Sequence, residues 1–201
     1  MPIIEVKQAK EQNDFKQIIS LREKIYVREE NRISQVEDFA KSFDKYNNSS
    51  VYFLAFNEDI PIGTIKVIND SDSGLPCEEI VTIKHLKADN IIVEFGHLII
   101  LPEFRYNRKI VFCLMREAFK YSYKFLNASH IVADVFIDKK RNYLTDFYHK
   151  AGFKDLFGPY QDKRFIDSPA SLLIILEIEE LHKKLTSTHG RRRKLLDSFL
   201  T

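Results

Sequence analysis

The sequence predicts an α/β fold of mixed α+β character, with a central mixed β-sheet flanked by helices, and three observations predict it. Residues 91–100 form a long β-branched stretch that ends at Pro102. Helical spacing then resumes through Val111, Leu114, Met115, Ala118 and Phe125, and residues 130–136 return to a strand pattern. Strand, helix and strand in that order make a βαβ unit, whose two strands lie parallel. Ahead of it, residues 51–56 and 62–68 flank the turn Asn57-Glu58-Asp59-Ile60-Pro61 and read as an antiparallel hairpin. An antiparallel start with a parallel middle excludes a doubly wound order, and the chain has neither GxGxxG nor GxxxxGK[ST].

The remaining elements follow in chain order. Phe15, Ile18, Ile19, Arg22, Ile25 and Tyr26 share one face of a first helix, which Asn13 or Asp14 can cap. Residues 28–48 are polar and read as a second short helix and a loop, and residues 69–76 as a loop. Asn127 can close the helix that begins near Val111. Residues 138–151 read as a helix with Gly152 at its C-cap. Strands over 153–157 and 171–178 and a helix over 179–185 complete one domain, residues 1–185, and residues 186–201 form a basic tail.

Composition narrows the function. The chain has 201 residues, 44% of them hydrophobic, which suits one folded domain. Sixteen Phe and nine Tyr, with no Trp and two Met, make the large apolar surfaces mostly Phe, Ile and Leu; some of those Phe can line a pocket for an apolar chain. A net charge of +2 gives no global steering to nucleic acid. The basic run from His189 to Lys194 is either a solvated tail or a weak attraction to anionic lipid or an acidic carrier protein. Cys77 and Cys113 are too few for a disulfide framework, and a cytoplasmic location is expected, with no transmembrane segment. Cys113 falls on the apolar helix as core, whereas Cys77, after Pro76, falls in a loop, where exposure is open to it. The six His show no ligand spacing, so no metal site is expected.

Two groups of motifs carry chemistry. The first is Val93-Glu94-Phe95-Gly96-His97-Leu98-Ile99-Ile100-Leu101-Pro102-Glu103-Phe104-Arg105 followed by a helix, then Phe147-Tyr148-His149-Lys150-Ala151-Gly152-Phe153. This stretch resembles the acyl-carrier-binding half of the GNAT acyltransferase superfamily, where a strand ends in a Pro-x-x-Arg turn and helix N–H groups hold the carrier's phosphates. The resemblance implies a GNAT-like acyl-CoA N-acyltransferase fold. It gives the donor-binding role to Leu98, Ile100, Arg105, Arg108 and Lys109, and makes Tyr148 the acid that meets the leaving thiolate. The turn here reads Arg105-Tyr106-Asn107-Arg108-Lys109-Ile110, without the small residues usual in the family. That departure favours a longer, protein-borne acyl chain over acetyl-CoA.

The second group is Leu21-Arg22-Glu23-Lys24-Ile25-Tyr26-Val27-Arg28-Glu29-Glu30, then Phe43-Asp44, Ile62-Gly63-Thr64-Ile65-Lys66-Val67, Gly74-Leu75-Pro76-Cys77-Glu78 and Glu94-Phe95-Gly96-His97, with Phe157-Gly158-Pro159-Tyr160 and Ser168-Pro169-Ala170 later. It resembles the long-chain N-acyl amino acid synthases and the acyl-homoserine-lactone (autoinducer) synthases, over roughly residues 15–185. The resemblance implies substrate-binding Arg22, Tyr26, Lys66 and His97 and catalytic Glu94 and Asp44, with Lys66 and His97 standing where Arg is usual. A thioester is already activated, so the site needs a proton acceptor, an oxyanion donor such as a backbone N–H near Gly96 or Leu98, and a way to expel thiolate. Glu94 can also simply pair with Arg22 or Lys66, and Tyr148 can simply pack on Phe153.

The expected function is therefore N-acyl transfer of a medium or long chain onto a small amine such as an amino acid. The donor is acyl-ACP (acyl carrier protein) or acyl-CoA, with no tightly bound cofactor. Two readings stand beside it: an acetyl-CoA-dependent GNAT N-acetyltransferase, and a degenerate GNAT-like binding module.

Overall fold

A computed structural model describes residues 4–34, 44–137, 143–163, 165–166 and 169–187. Seven described strands form one sheet in the order β1-β2-β3-β4-β5-β7-β6: β1 Ile4–Gln8, β2 Ser50–Asn57, β3 Ile60–Asn69, β4 Ile92–Ile100, β5 His130–Phe136, β6 Lys154–Tyr160 and β7 Ser171–Glu177. The βαβ expectation holds, because β4 and β5 pair in parallel while every other neighbouring pair is antiparallel. The hairpin also holds, with a tighter turn than the sequence suggested: Asn57 lies opposite Ile60, so β3 already includes Ile60 and Pro61.

Two cores sandwich the sheet. On one face lie α1 (Gln12–Arg22) and the Leu75–Ile83 region, whose Ile18, Leu21, Leu75 and Ile83 pack on Leu54, Ile68, Ile92 and Ile99. On the other lie α2 (Arg108–Leu126), α3 (Tyr143–Ala151) and α4 (Ile178–Ser187) over Phe53, Ile65, Val93, Phe95 and Ile174. The apolar periods explain this division: alternate residues of β4 serve opposite faces, so Ile92 joins the first core and Val93 the second. Gly63 of β3 must be small, since a Cβ there would meet the Ile99 carbonyl oxygen at 2.7 Å.

Several boundaries differ from the sequence reading. The strand β1 is new, an edge strand of five residues. Glu11, rather than Asn13 or Asp14, is the N-cap of α1; Asp14 sits three residues in and accepts the Glu11 N–H at 3.1 Å. The first helix continues as a π-helix over Glu23–Glu29. Phe15, Ile19 and Phe125, all expected on buried faces, are 42%, 47% and 72% exposed, because Ile18, Leu21 and Phe119 already fill the adjoining core. Cys77 is not exposed either: the Pro76–Glu79 turn folds under the sheet and leaves it 1% accessible. Asn127 closes α2 in the left-handed conformation, and Gly152 follows α3 at φ +106°, both as the sequence suggests. Residues 35–43, the first five of the helix expected over 138–151, Ser168 and the basic run from His189 lie outside the described residues.

Candidate active site

The site grows from one irregularity in the sheet. β4 and β5 pair only where Ile92 to Phe95 oppose His130 to Ala133. Beyond that, β4 runs on to Ile100 against β3 alone, and β5 runs on to Phe136 against β7 alone. The two strands part there. The change of register falls at a bulge between Thr64 and Lys66, opposite which His97 takes φ +52°. Backbone groups of β4 past Phe95 therefore face a gap rather than a partner strand.

The α1 face of this region is polar. Tyr52 of β2 lies opposite Lys66 of β3, which lies opposite Gly96 of β4. Glu94 lies opposite Ile68 and Val132. Arg22, Lys66, Glu94 and His97 are all buried, at 5%, 0%, 4% and 8% exposure. Arg22 donates to the Tyr52 hydroxyl at 2.8 Å, Lys66 donates to Asn47 Oδ1 at 3.2 Å, and both cations lie over the Tyr52 ring. Glu94 accepts the Cys77 N–H at 2.8 Å. Tyr26 packs edge-on to His97, with ring centroids 6.5 Å apart, and burial pushes its phenol up to about 12. The charges of Arg22 and Arg32 oppose that shift, and those of Glu30 and Asp134 add to it.

Five residues named from the sequence thus share one face: Arg22, Tyr26, Lys66, Glu94 and His97. Asp44 opens the 3-10 turn Asp44–Ser49 beside them, but its side chain lies outside the description. Tyr148 is on the opposite face, 3% exposed and packed between Phe147 and Phe153, with burial pushing its phenol well above the usual tyrosine range. Leu98 is half-buried, and Ile100 is buried opposite Gly63.

The expected cationic entrance is divided. Arg105 donates to the Ile100 carbonyl at 3.0 Å and pairs with Glu29 at 2.9 Å and Glu30 at 3.5 Å. Arg108 and Lys109 are exposed at the start of α2, where Asn107 accepts the Lys109 N–H at 3.2 Å. On the α2 side lies an apolar pocket lined in part by Phe95, Met115, Phe119, Phe147, Ala151 and Phe153. Phe95 is the last β4 residue paired with β5, so the pocket sits at the foot of the strand divergence.

The comparison with protein families gives this site its context. The model of the N-acyl amino acid synthase FeeM matches residues 17–175. The chain belongs to the FeeM N-acyl amino acid synthase family. No curated protein matches it. Among solved structures it is similar to FeeM, an N-acyl amino acid synthase from uncultured soil microbes, with a TM-score of 0.75 and 16% identity over 91% of this chain and 95% of that one. It is also similar to a variant of the spermidine N-acetyltransferase SpeG from Vibrio cholerae (TM-score 0.61, 16% identity, 90% and 97% covered). An acetyltransferase from Streptococcus agalactiae gives TM-score 0.59 and 15% identity over 87% and 98%. The fold is that of the GNAT acyltransferases, and this member of the FeeM family is an N-acyltransferase. The likeness to the autoinducer synthases rests on sequence motifs alone.

The sequence reading left out some neighbours of this candidate site. Tyr52, Asn47 and Asp134 stand around the residues it named, as does Cys77, which it quoted only within a motif. Asp134 carried a signal, a lone carboxylate in the apolar run of β5. Phe165 carried none: it packs on Tyr26 at 6.0 Å and Phe136 at 5.3 Å from a loop remote in sequence from both.

Proposed function

We propose that the chain transfers a medium- or long-chain acyl group from an acyl carrier protein or coenzyme A thioester onto the amine of a small acceptor such as an amino acid. The observation that carries this reading is the match of residues 17–175 to the family of an N-acyl amino acid synthase; the small Phe-lined pocket at the foot of the β4–β5 divergence, about 30 Å³, marks where an acyl chain would enter and would have to widen to take one. A thioester laid into the gap can send its apolar chain toward the α2 side while its carbonyl faces the polar α1 side. Family membership supports an amino acid as acceptor. The buried cations Arg22 and Lys66 suit its carboxylate.

In the reaction, the neutral amine attacks the thioester carbon, the C–S bond breaks, and the sulfur leaves as thiolate. In this reading Glu94 takes the ammonium proton, and a β4 N–H beyond Phe95 meets the oxyanion. Tyr148 keeps its proton throughout, so it serves the thiolate as a hydrogen-bond donor; full transfer from so weak an acid to a thiolate is uphill. Arg108 and Lys109, exposed beside the turn, suit the donor's phosphate or an acidic carrier surface.

The deciding experiment supplies acyl-carrier-protein and coenzyme A thioesters of graded chain length with an amino-acid mixture, and reads N-acyl products by mass spectrometry. Long-chain N-acyl amino acids are expected. Acetylated products alone would favour the acetyltransferase reading, and no product from any donor would favour a binding module.

A further inference from the structure

We propose that Asp134 of β5 holds the acceptor's amine: its carboxylate accepts an N–H of the amine and turns the nitrogen lone pair toward a thioester lying in the gap. The inference rests on the acceptor reading given above, in which Arg22 and Lys66 meet the acceptor's carboxylate. Register fixes where Asp134 stands. Ala133, paired with Phe95, is the last β5 residue joined to β4, so Asp134 is the first on the open lip. Val132, two positions back, and Leu173, its partner on β7, both belong to the core under α1, which puts the Asp134 side chain on the polar face. There its charge reaches Tyr26. Asp134 is half-buried, whereas Glu94 is 4% exposed and stands inside the paired part of the seam, opposite Val132.

Between Lys66 and Asp134 the floor is bare. Lys66 lies opposite Gly96, and Gly96 follows Phe95 on β4, in line with Asp134 across the gap. Apart from its chain neighbours, a Cβ at Gly96 would come within 4 Å of Ile68 Cδ1 alone, at 3.8 Å, among the described residues. Two strand spacings, about 10 Å, separate the β3 and β5 backbones there. The carboxylate-to-amine span of an α-amino acid, about 3.5 Å, with a hydrogen bond of about 2.9 Å at each end, covers roughly that distance. Ser171, two positions from Leu173 on the same face, is 0% exposed, and its hydroxyl has no hydrogen-bond partner among the described residues. Polar capacity is therefore still unused on the Asp134 side of the gap. Glu94 and Asp134 are diagonal neighbours on one face, a relation that sets side chains about 7–8 Å apart and leaves room for one nitrogen between two carboxylates. One N–H of the neutral amine then faces Glu94, which takes that proton as the C–N bond forms and the C–S bond breaks. The other N–H stays on Asp134 and remains on the amide nitrogen of the product.

The test compares, by calorimetric titration, the amino acid that the parent enzyme acylates with its deaminated analogue, the same carboxylic acid carrying hydrogen in place of the amine. The parent should bind the amino acid at least about tenfold more tightly, the effect of one charged hydrogen bond. Asp134→Asn keeps the shape without the charge; it should cut that preference at least about fivefold and leave the analogue bound as in the parent. Asp134→Ser reads the same way if the asparagine variant fails to fold. In turnover, KM for the amino acid should rise about tenfold while KM for a long-chain acyl-CoA stays within about twofold, whereas general damage to the fold would move both. Gly96→Val, which covers the floor, should weaken the amino acid and the analogue alike. A preference for the amine that survives in a folded Asp134 variant overturns the inference, and so does an analogue that binds Gly96→Val as well as the parent. If the parent neither binds nor acylates any of the twenty amino acids, the acceptor reading falls and takes this role with it. If it acylates one and Asp134→Asn keeps the preference, only the role of Asp134 falls.

Discussion

Asp14 shows how much one side chain fixes at the start of the fold. It is 3% exposed, pairs with Lys7 at 2.8 Å and accepts the N–H groups of Lys10 and Glu11 at 3.0 and 3.1 Å. The Lys7 hydrogen bond, followed by those N–H groups, lowers its carboxyl from 3.8 to about 2. A carboxyl depressed in the folded state stabilises the fold above its unfolded value, and that contribution disappears as pH falls through about 2. Asp14→Ala should cost about 1–2 kcal/mol in urea unfolding at pH 7, with a smaller difference from the parent at pH 2. In the site, Lys66→Met should leave the fold intact and raise KM for an amino-acid acceptor at least about tenfold, since a buried cation then no longer meets its carboxylate. Residue by residue, Lys66 and Glu94 were named through the resemblance to the N-acyl amino acid synthases, and both are buried on the polar face. The sequence was silent on Tyr52, which looks like an ordinary strand residue, and gave Cys77 no role beyond its place in a motif. Their importance comes from partners 30 and 17 positions away.

Among the elements, β5 and the span of α2 were readable because long periodic segments override local ambiguity. β1 was not, since five alternating residues at a sheet edge carry little pattern. The π-helix Glu23–Glu29 was invisible for a different reason: the same apolar stripe suits an ordinary helix until the wider turn is enforced by packing. One end of that helix is tied down by Arg105, which links Glu29 and Glu30 to the turn after β4. Arg105→Ala should therefore speed hydrogen exchange over residues 23–30. The accompanying loss of stability should stay at or below about 1 kcal/mol, because these ion pairs are partly exposed. Exchange that is unchanged would mean the helix holds its shape without the tie.

At the scale of the whole molecule, the mixed sheet and its flanking helices follow from the sequence, but the make-up of the apolar pocket does not. It is assembled from β4, α2, α3, Phe153 between α3 and β6, β7 and α4, and only the tertiary packing brings Phe95, Met115 and Phe153 to one place. Ala151 lines it with the smallest side chain. Ala151→Phe should shorten the preferred acyl chain by several carbons in a competition among thioesters, with product masses as the readout. Mechanically, the sheet is two stiff plates, β1–β4 and β5–β7, stitched by four residue pairs along one seam. A crack already runs up from that seam, and its lips are amides 96–100 and 134–136. A donor lying in the crack would act as a weld, so those amides should slow in exchange when an acyl thioester is added, while the hairpin of β2 and β3 keeps its rate.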